Sequence, residues 1–377
     1  MLSVAGGRVA IGRHEIPYVS CDVPKPTPFL TCQNDSKDCS PCLEPHTSKD
    51  TKESVEIIMC LIVIGYQVDK RYPFLVVANR DEFYARPTSA AHYWTTTRTS
   101  NNNNNNNNNN HDRIYAGKDD QAGGTWMGFT TTSGRFAAVT NYREQNEPTS
   151  AGVLLESRGA LVSQFLEATA TTTKDASSAP VVISAREYAR QVESKAQLYG
   201  GFNLLVGDGS SGLFCVSNRN NKHGAAAAAS VEQLQPGKLY GLCNHLLDHP
   251  WPKLCRLKTS VEAVMLQERV VVVDKTAQRL TERLLDLLQD TVRPPVQDLP
   301  MADTGCSTEI ETLLSSIFIA SDAFYGTRAS TVILVEASSV GATTTPVCHY
   351  TERSFGPQGV VLGTTQDSFA VDNIIGE

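Results

Sequence analysis

The chain has 377 residues, 41% of them apolar, which is enough for one large domain or two ordinary ones with a buried core. Its formal net charge is -7, and Lys and Arg are scattered along the sequence, which argues against a nucleic-acid-binding or anionic-membrane surface. No stretch approaches the ~18 apolar residues of a transmembrane helix, and the ten cysteines do not follow the pattern of a disulfide framework. We therefore expect a globular protein of a reducing compartment with small-molecule or protein partners.

Residues 1–58 are expected to be a disordered leader or an extension of the gene model. They are rich in Pro, Ser, Thr, Asp and Lys and show neither a helical nor a strand period. The CSPC stretch at Cys39–Cys42 is a CxxC pair. Without a second ligand pair at zinc spacing it favours a solvated tail over a metal or redox site.

The composition changes sharply at Ile57, where eight consecutive apolar residues predict a buried strand. The stretch PFLVVANRDEF, residues 73–83, predicts the hairpin partner of that strand. Ten consecutive asparagines then lie within a low-complexity insertion at 99–112, which we expect in a surface loop. A second such insertion is expected at 218–230.

The rest of the chain groups strands with strands and helices with helices. GGTWMGFTT and GRFAAVTNY predict a second hairpin. Helical periodicity predicts helices over 152–168, 185–198, 253–268 and 277–290, with a short one in STEIETLLSSIFI. Further strands are predicted at FNLLVGD, GLFCVSN, LYGLCN, ASTVILVEA and VCHYTERSF. Because βαβ alternation is absent from this pattern, we predict an α+β fold of antiparallel sheets layered with helices.

Eight motifs follow one another from Met59 to Phe355: MC at a strand start, ANRDEFYARP, GGTWMG, TNYRE, GFNLLVGD, YGLCNHLLDHPWPKL, YGTRASTVILV and YTERSF. In this order they resemble the NRDE family, the family of the transport and Golgi organisation protein in animals. The resemblance implies a single domain over 59–377. It also implies a four-layer αββα sandwich of two antiparallel sheets, similar to the N-terminal nucleophile hydrolases.

The resemblance further implies a site. In N-terminal nucleophile hydrolases the first residue of the mature chain is the nucleophile, and its α-amine, which titrates near ~8, is the base. The residue at that place is Cys60. The branch that cleaves amides also has an Arg and an Asp, two oxyanion-hole asparagines and a late arginine, which here are Arg80 and Asp81, Asn141 and Asn244, and Arg328. A metal is not expected, and a cofactor is not required.

Taken singly, these residues have simpler interpretations. Asn79 to Glu82 alone would be a solvated turn. His245 and His249 have the spacing of zinc ligands on a helix, but Pro250 and the lack of a third ligand favour a loop.

Three functions are compatible with the motif series. Cys60 could attack an amide or thioester as an N-terminal nucleophile amidohydrolase or thioesterase. Alternatively, the sandwich could carry haem or an acyl-CoA in its pocket, in Golgi organisation, protein secretion, haem trafficking and lipid homeostasis. The third hypothesis is an interaction protein that works through the asparagine tract and the leader. We prefer the carrier, and we expect it in the cytoplasm, in association with Golgi or mitochondria.

The nitrogen of Cys60 decides between the first two hypotheses. Translation could begin at Met59, the leader could be cleaved before Cys60, or the nitrogen could stay in a peptide bond. A peptide-bonded nitrogen cannot act as the base, so the third alternative excludes amine-assisted hydrolysis.

Overall fold

The computed structural model describes residues 59–94, 113–143, 155–167, 182–219, 229–270, 276–299, 307–322, 324–338 and 345–375. The predicted leader at 1–58 lies outside the described residues. So do the whole of the predicted insertion at 99–112 and most of the one at 218–230.

Thirteen strands and five α-helices make up the described part of the chain. The strands are β1 (Met59–Tyr66), β2 (Phe74–Phe83), β3 (Thr88–Tyr93), β4 (Ile114–Asp119), β5 (Met127–Thr130), β6 (Phe136–Asn141), β7 (Phe202–Asp208), β8 (Gly212–Ser217), β9 (Ser230–Gln233), β10 (Lys238–Leu242), β11 (Tyr325–Glu336), β12 (Val347–Phe355) and β13 (Val361–Ala370). The helices are α1 (Gly159–Glu167), α2 (Ala185–Lys195), α3 (Pro252–Val270), α4 (Ala277–Leu287) and α5 (Thr308–Leu314).

The strands form two antiparallel sheets. The six-stranded sheet has the order β10-β1-β2-β11-β12-β13, and the seven-stranded sheet has the order β3-β4-β5-β6-β7-β8-β9. In the hairpin of β1 and β2, Cys60 lies opposite Arg80 and Met59 lies opposite Asp81. The grouping of strands with strands confirms the predicted α+β class.

Apolar side chains define four layers. One cluster fills the space between the sheets and includes Ile62 of β1 and Phe136 of β6. A second cluster lies between the six-stranded sheet and helices α3 and α4, and a third lies between the seven-stranded sheet and helices α1 and α2. The order helices, sheet, sheet, helices is the predicted αββα sandwich.

Strand alternation decides which way the residues at the start of β1 face. Ile62 and Ile64 belong to the cluster between the sheets, whereas Leu61 and Val63 belong to the cluster under the helices. Because successive side chains of a strand point to opposite faces, Cys60 faces the space between the sheets and Met59 faces the helical layer. The same alternation in β2 separates Arg80 from Asp81.

The structure contains four strands that the sequence did not predict, namely β3, β4, β9 and β13. It also shortens the first predicted helix, since of the described residues 155–167 only Gly159–Glu167 is α-helical. Just before α1, Glu156 forms a bridge with Tyr199 and donates its N–H to the carbonyl of Leu198 at 2.9 Å. Pairing with a neighbouring segment thus replaces helical hydrogen bonds there.

Helix α3 begins at Pro252, as the HPWP stretch predicts, because proline at the first helical position loses no hydrogen bond. Of the helices in the described ranges, none is long and apolar enough to cross a membrane.

Candidate functional site

A cavity of about 660 Å³ is lined by residues of both sheets. Four of the six predicted site residues lie on its wall, namely Cys60, Arg80, Asn141 and Arg328. The other two, Asp81 and Asn244, lie behind the wall, where Asn244 bonds to the backbone of Cys60. The structure therefore brings five of the six predicted residues to one place and puts Asp81 on the opposite face of the sheet.

Cys60 is 4% exposed and its nitrogen is in a peptide bond with Met59. The backbone N–H of Cys60 donates to Oδ1 of Asn244 at 3.0 Å. Burial raises the pKa of the Cys60 thiol to about 12, and the positive charge of Arg80 opposes this only in part. In this form the thiol is protonated near neutral pH, so it is a weak nucleophile.

Asn244 links several segments around Cys60. It follows β10 and has a positive φ of 53°, which is uncommon for a residue with a side chain. Its Nδ2 donates to the carbonyl of Asn141 at 3.0 Å, and its own carbonyl accepts from the N–H of Arg143 at 2.8 Å. Both ends of the Asn244 amide thus bond to protein.

The cavity wall carries four arginines, and three of them bond mainly to protein acceptors. Arg86 pairs with Asp119 at 2.6 Å, and Arg158 donates to the carbonyl of Gly201 at 3.4 Å. Arg328 donates to the carbonyls of Phe83, Tyr84 and Arg86 at 2.9–3.2 Å, which fixes the turn after β2.

Arg80 is the least engaged of these arginines. Within the described residues its guanidinium makes one hydrogen bond, to Glu82 at 3.3 Å, and its side chain is 11% exposed. Arg80 lines the cavity together with Cys60, so its remaining N–H donors are available to an oxygen of a ligand there.

Two buried carboxylates also lie on the cavity wall. Burial raises the pKa of Glu82 and of Glu352, while the nearby charge of Arg80 opposes both shifts. Glu82 accepts from the N–H of Phe83 at 2.8 Å, and Glu352 accepts from the N–H of Ala91 at 2.8 Å. Arg80 is therefore a cation that both acidic groups share, and Arg86 also lies 3.7 Å from Glu82.

Two exposed leucines lie at the mouth of the cavity, beside polar residues such as Ser89 and Glu156. Leu155 and Leu362 both line the cavity, and they are 46% and 66% exposed. Trp126, Val139 and Phe355 continue the apolar surface inward. The cavity thus has a charged buried end and a mixed opening that carries large apolar side chains.

Asp81 lies under the helices rather than in the cavity. Its Oδ1 accepts from the hydroxyl of Thr327 at 2.6 Å, whereas its Oδ2 is buried without a hydrogen-bond partner in the described part of the chain. Burial raises the pKa of Asp81 to about 6, and the positive charge of Lys253 is the largest opposing effect. This carboxylate could therefore accept a further donor.

Met59, the strand partner of Asp81, is 1% exposed. Its side chain packs in a small apolar cluster with Leu314, Ile319 and Tyr325. Its N–H donates to the hydroxyl of Tyr325 at 2.7 Å, and its sulfur contacts the guanidinium of Arg143. In the folded chain, Met59 is therefore part of the core.

The described residues contain no group of three or more His, Cys, Asp or Glu side chains that could hold a metal ion. His245 and His249 lie in a loop, as predicted, and their rings stack with centroids 3.7 Å apart.

The chain matches the family model described as Transport and Golgi organisation 2 over residues 59–355. It is 32% identical over 293 residues to the mouse (Mus musculus) Transport and Golgi organization 2 homolog, which covers 74% of this chain and 90% of the relative. The chain belongs to the Transport and Golgi organisation 2 family.

Other relatives in this family are similar. The human (Homo sapiens) homolog is 33% identical over 292 residues, covering 74% of this chain and 89% of the relative. The fruit-fly (Drosophila melanogaster) Transport and Golgi organization protein 2 is 24% identical over 280 residues, covering 71% of this chain and 83% of the relative.

The site of this Transport and Golgi organisation 2 family member includes residues that the sequence did not single out. Glu352 lies within YTERSF, Lys253 within HPWPKL, and Tyr325 and Thr327 within YGTRAST. Each lies inside one of the eight motifs, and this position is the feature of the sequence that could have indicated a place in the site. Their roles depend on contacts with residues far away in the chain.

Proposed function

We propose that this protein acts in transport and Golgi organisation, like the relatives that carry that name, by binding an acyl-CoA in the cavity beside Cys60. One observation carries the proposal. Arg80 lines a cavity of about 660 Å³, and the large apolar side chains of Leu155 and Leu362 lie at its opening. This volume falls within the ~300–1,000 Å³ typical of small-molecule sites.

The two ends of the cavity suit an amphipathic acyl compound. Arg80 would bind a carbonyl or phosphate oxygen, since a guanidinium forms strong charge-assisted hydrogen bonds with such groups. The apolar side chains of Trp126, Leu155 and Leu362 would contact the hydrocarbon chain. Binding of this kind needs neither a thiolate nor a free amine at Cys60.

Haem fits the described cavity less well. The described lining residues include no His or Met, and Cys60 is their only iron ligand of the usual kinds. Since burial raises the pKa of the Cys60 thiol to about 12, forming the thiolate that binds iron is unfavourable. We therefore favour the acyl-CoA over haem.

A titration of the full chain tests this proposal. Trp126 lies on the cavity wall, so palmitoyl-CoA should change tryptophan fluorescence in a saturable way, and Trp126→Phe should remove most of that change. Coenzyme A alone should bind more weakly because it lacks the acyl chain. Haemin serves as the competing ligand. The absence of saturable binding of palmitoyl-CoA, or tighter binding of haemin, would overturn the proposal.

One observation favours a second function, hydrolysis by Cys60. Asp81 Oδ2 has no partner among the described residues, and Asp81 lies opposite Met59 in the strand pair. In a chain that began at Cys60, the new α-ammonium would lie between Asn244 and this carboxylate. Such an amine, with a pKa near ~8, would accept the thiol proton as sulfur attacks a thioester or amide carbonyl. It would pass that proton to the leaving thiolate or amine as the old carbonyl bond breaks, and water would then hydrolyse the acyl-enzyme to the free acid.

A chain that begins at Cys60, produced by cleavage at an engineered site, tests this second function. It should release coenzyme A from palmitoyl-CoA. The full chain should not, and neither should the shortened chain that carries Cys60→Ala. Equal release by all three proteins, or by none, would exclude hydrolysis by Cys60.

A further inference from the structure

Asn244 has an unfavourable conformation that other groups must hold in place. Its φ of 53° lies in the left-handed region, and its side chain is fully buried. In this conformation its Oδ1 accepts from the N–H of Cys60 at 3.0 Å. A contact that holds the peptide next to Asn244 therefore also helps to hold the start of β1, through the hydrogen bond between Asn244 and Cys60.

Asn203 of β7 contacts that peptide. Its Nδ2 donates to the carbonyl of His245, the residue after Asn244, at 2.9 Å. The same nitrogen lies 3.3 Å from Oγ1 of Thr140, its partner on β6. Because Leu205 belongs to the cluster between the sheets, Asn203, two residues earlier in the strand, faces the same space.

These contacts connect the two sheets behind the cavity. Asn203 belongs to the seven-stranded sheet, and Cys60 belongs to the six-stranded sheet. Residues 244 and 245 lie between them, with the side chain of Asn244 on Cys60 and the carbonyl of His245 on Asn203. The position of the Cys60 backbone is thus tied to the opposite sheet through Asn203.

A role in stability alone explains Asn203 poorly. The side chain is fully buried, and its Oδ1 has no hydrogen-bond partner in the described residues. A buried acceptor without a partner lowers stability, and this loss offsets part of what the hydrogen bond to the His245 carbonyl contributes. What the amide supplies is a directed donor at a single carbonyl.

We propose that Asn203 is the positioning residue for Asn244: its hydrogen bond to His245 holds Asn244 in the left-handed conformation that binds the Cys60 amide. This positioning role concerns the folded chain without ligand. It is therefore independent of acyl-CoA binding, and either proposal can be wrong while the other is right. Asn203 does not line the cavity and acts on Cys60 through Asn244.

Hydrogen–deuterium exchange at the Cys60 amide tests the proposal, because that N–H donates its hydrogen bond to Asn244. Asn203→Leu should speed this exchange roughly tenfold after correction for global stability, as the loss of about one hydrogen bond predicts. Asn203→Ala removes the same donor and provides a second measurement if the leucine variant does not fold.

Asn218→Leu is the matched control. Asn218 is also a buried asparagine of the seven-stranded sheet region, and its Nδ2 donates to the carbonyls of Ala196, Tyr199 and Gly200. Its replacement should change Cys60 exchange only through global stability. Equal corrected exchange in the two variants would overturn the proposal.

A double-mutant cycle gives the second readout. In an Asn244→Ala background, Asn203→Leu should add no further acceleration at Cys60, because Asn203 acts through Asn244. An additive acceleration would contradict the proposed route, even if the single variant behaved as expected.

Discussion

The backbone N–H of Cys60 donates to Oδ1 of Asn244, 3.0 Å away, although the two residues are separated by most of the domain in sequence. This hydrogen bond joins the start of β1 to the loop after β10. It also places Cys60 on the cavity wall with its nitrogen engaged, which favours a binding site over a catalytic one in this form of the chain.

Replacing Asn244 should destabilise the fold. Asn244→Ala leaves the Cys60 N–H and the Asn141 carbonyl without partners, so the free energy of unfolding should fall by about 2–3 kcal/mol. Asn244→Gly loses the same hydrogen bonds but tolerates positive φ, and it should recover about 1 kcal/mol relative to alanine. Urea denaturation measures both. A glycine variant less stable than the alanine variant would contradict the strained backbone at this position.

Cys60 should resist alkylation in the folded protein. Burial raises the pKa of its thiol to about 12, so little thiolate forms at pH 8, and the side chain is 4% exposed. Cys255 is exposed and should react much faster. Iodoacetamide labelling followed by peptide mass spectrometry compares the two sites, with denatured protein as the control in which both react. Equal native labelling would show that Cys60 is accessible or activated.

The stability of the protein should depend on the ionisation of Asp81. Its pKa is raised from 3.8 to about 6, so between these pH values the folded state binds more protons than the unfolded state. The contribution of Asp81 to the free energy of unfolding therefore falls as pH rises through this window. Asp81→Asn lacks this titration. The variant should therefore gain stability relative to the wild type between pH 4 and pH 7, by about 3 kcal/mol at most.

Denaturation of both proteins at a series of pH values tests this difference. The test is how the difference in unfolding free energy between the two proteins changes with pH, because a constant difference reflects a change in packing. A difference that stays flat across the window would show that the fold does not raise the pKa of Asp81, and a reversed slope would show that the fold stabilises the carboxylate form.

Met59 should matter for stability and not for ligand binding. Its buried side chain packs against Leu314, Ile319 and Tyr325, so Met59→Ala should lower the unfolding free energy by about 2–4 kcal/mol. Met59→Leu nearly conserves volume and should lose less than about 1.5 kcal/mol. Because Met59 faces the helical layer, neither change should alter affinity for palmitoyl-CoA. A large affinity change in the leucine variant would contradict the separation of the two faces.

The layered architecture is predictable from the sequence because the motif series and the grouping of elements agree. Strand β13 is not predictable, because its first four residues are exposed and show no alternation, and neither is β9, which has only four residues. An exposed edge strand has no apolar face, so its periodicity carries no signal.

The site was only partly predictable for a related reason. Alternation within a predicted strand already separates Arg80 from Asp81, since neighbours in a strand face opposite sides. The groups that surround Asp81, such as Thr327 and Lys253, come from distant parts of the chain. Such contacts follow from tertiary packing, and a single sequence does not reveal them.

The measurement that most directly tests the central claim is the affinity for palmitoyl-CoA of the wild type and of Arg80→Ala, with Arg256→Ala as the control. Arg256 lies on α3, pairs with Asp290 and does not line the cavity. Loss of Arg80 should weaken binding about tenfold or more, as expected for a charge-assisted hydrogen bond, while Arg256→Ala should bind like the wild type. Equal affinity in all three proteins would contradict a ligand site anchored by Arg80.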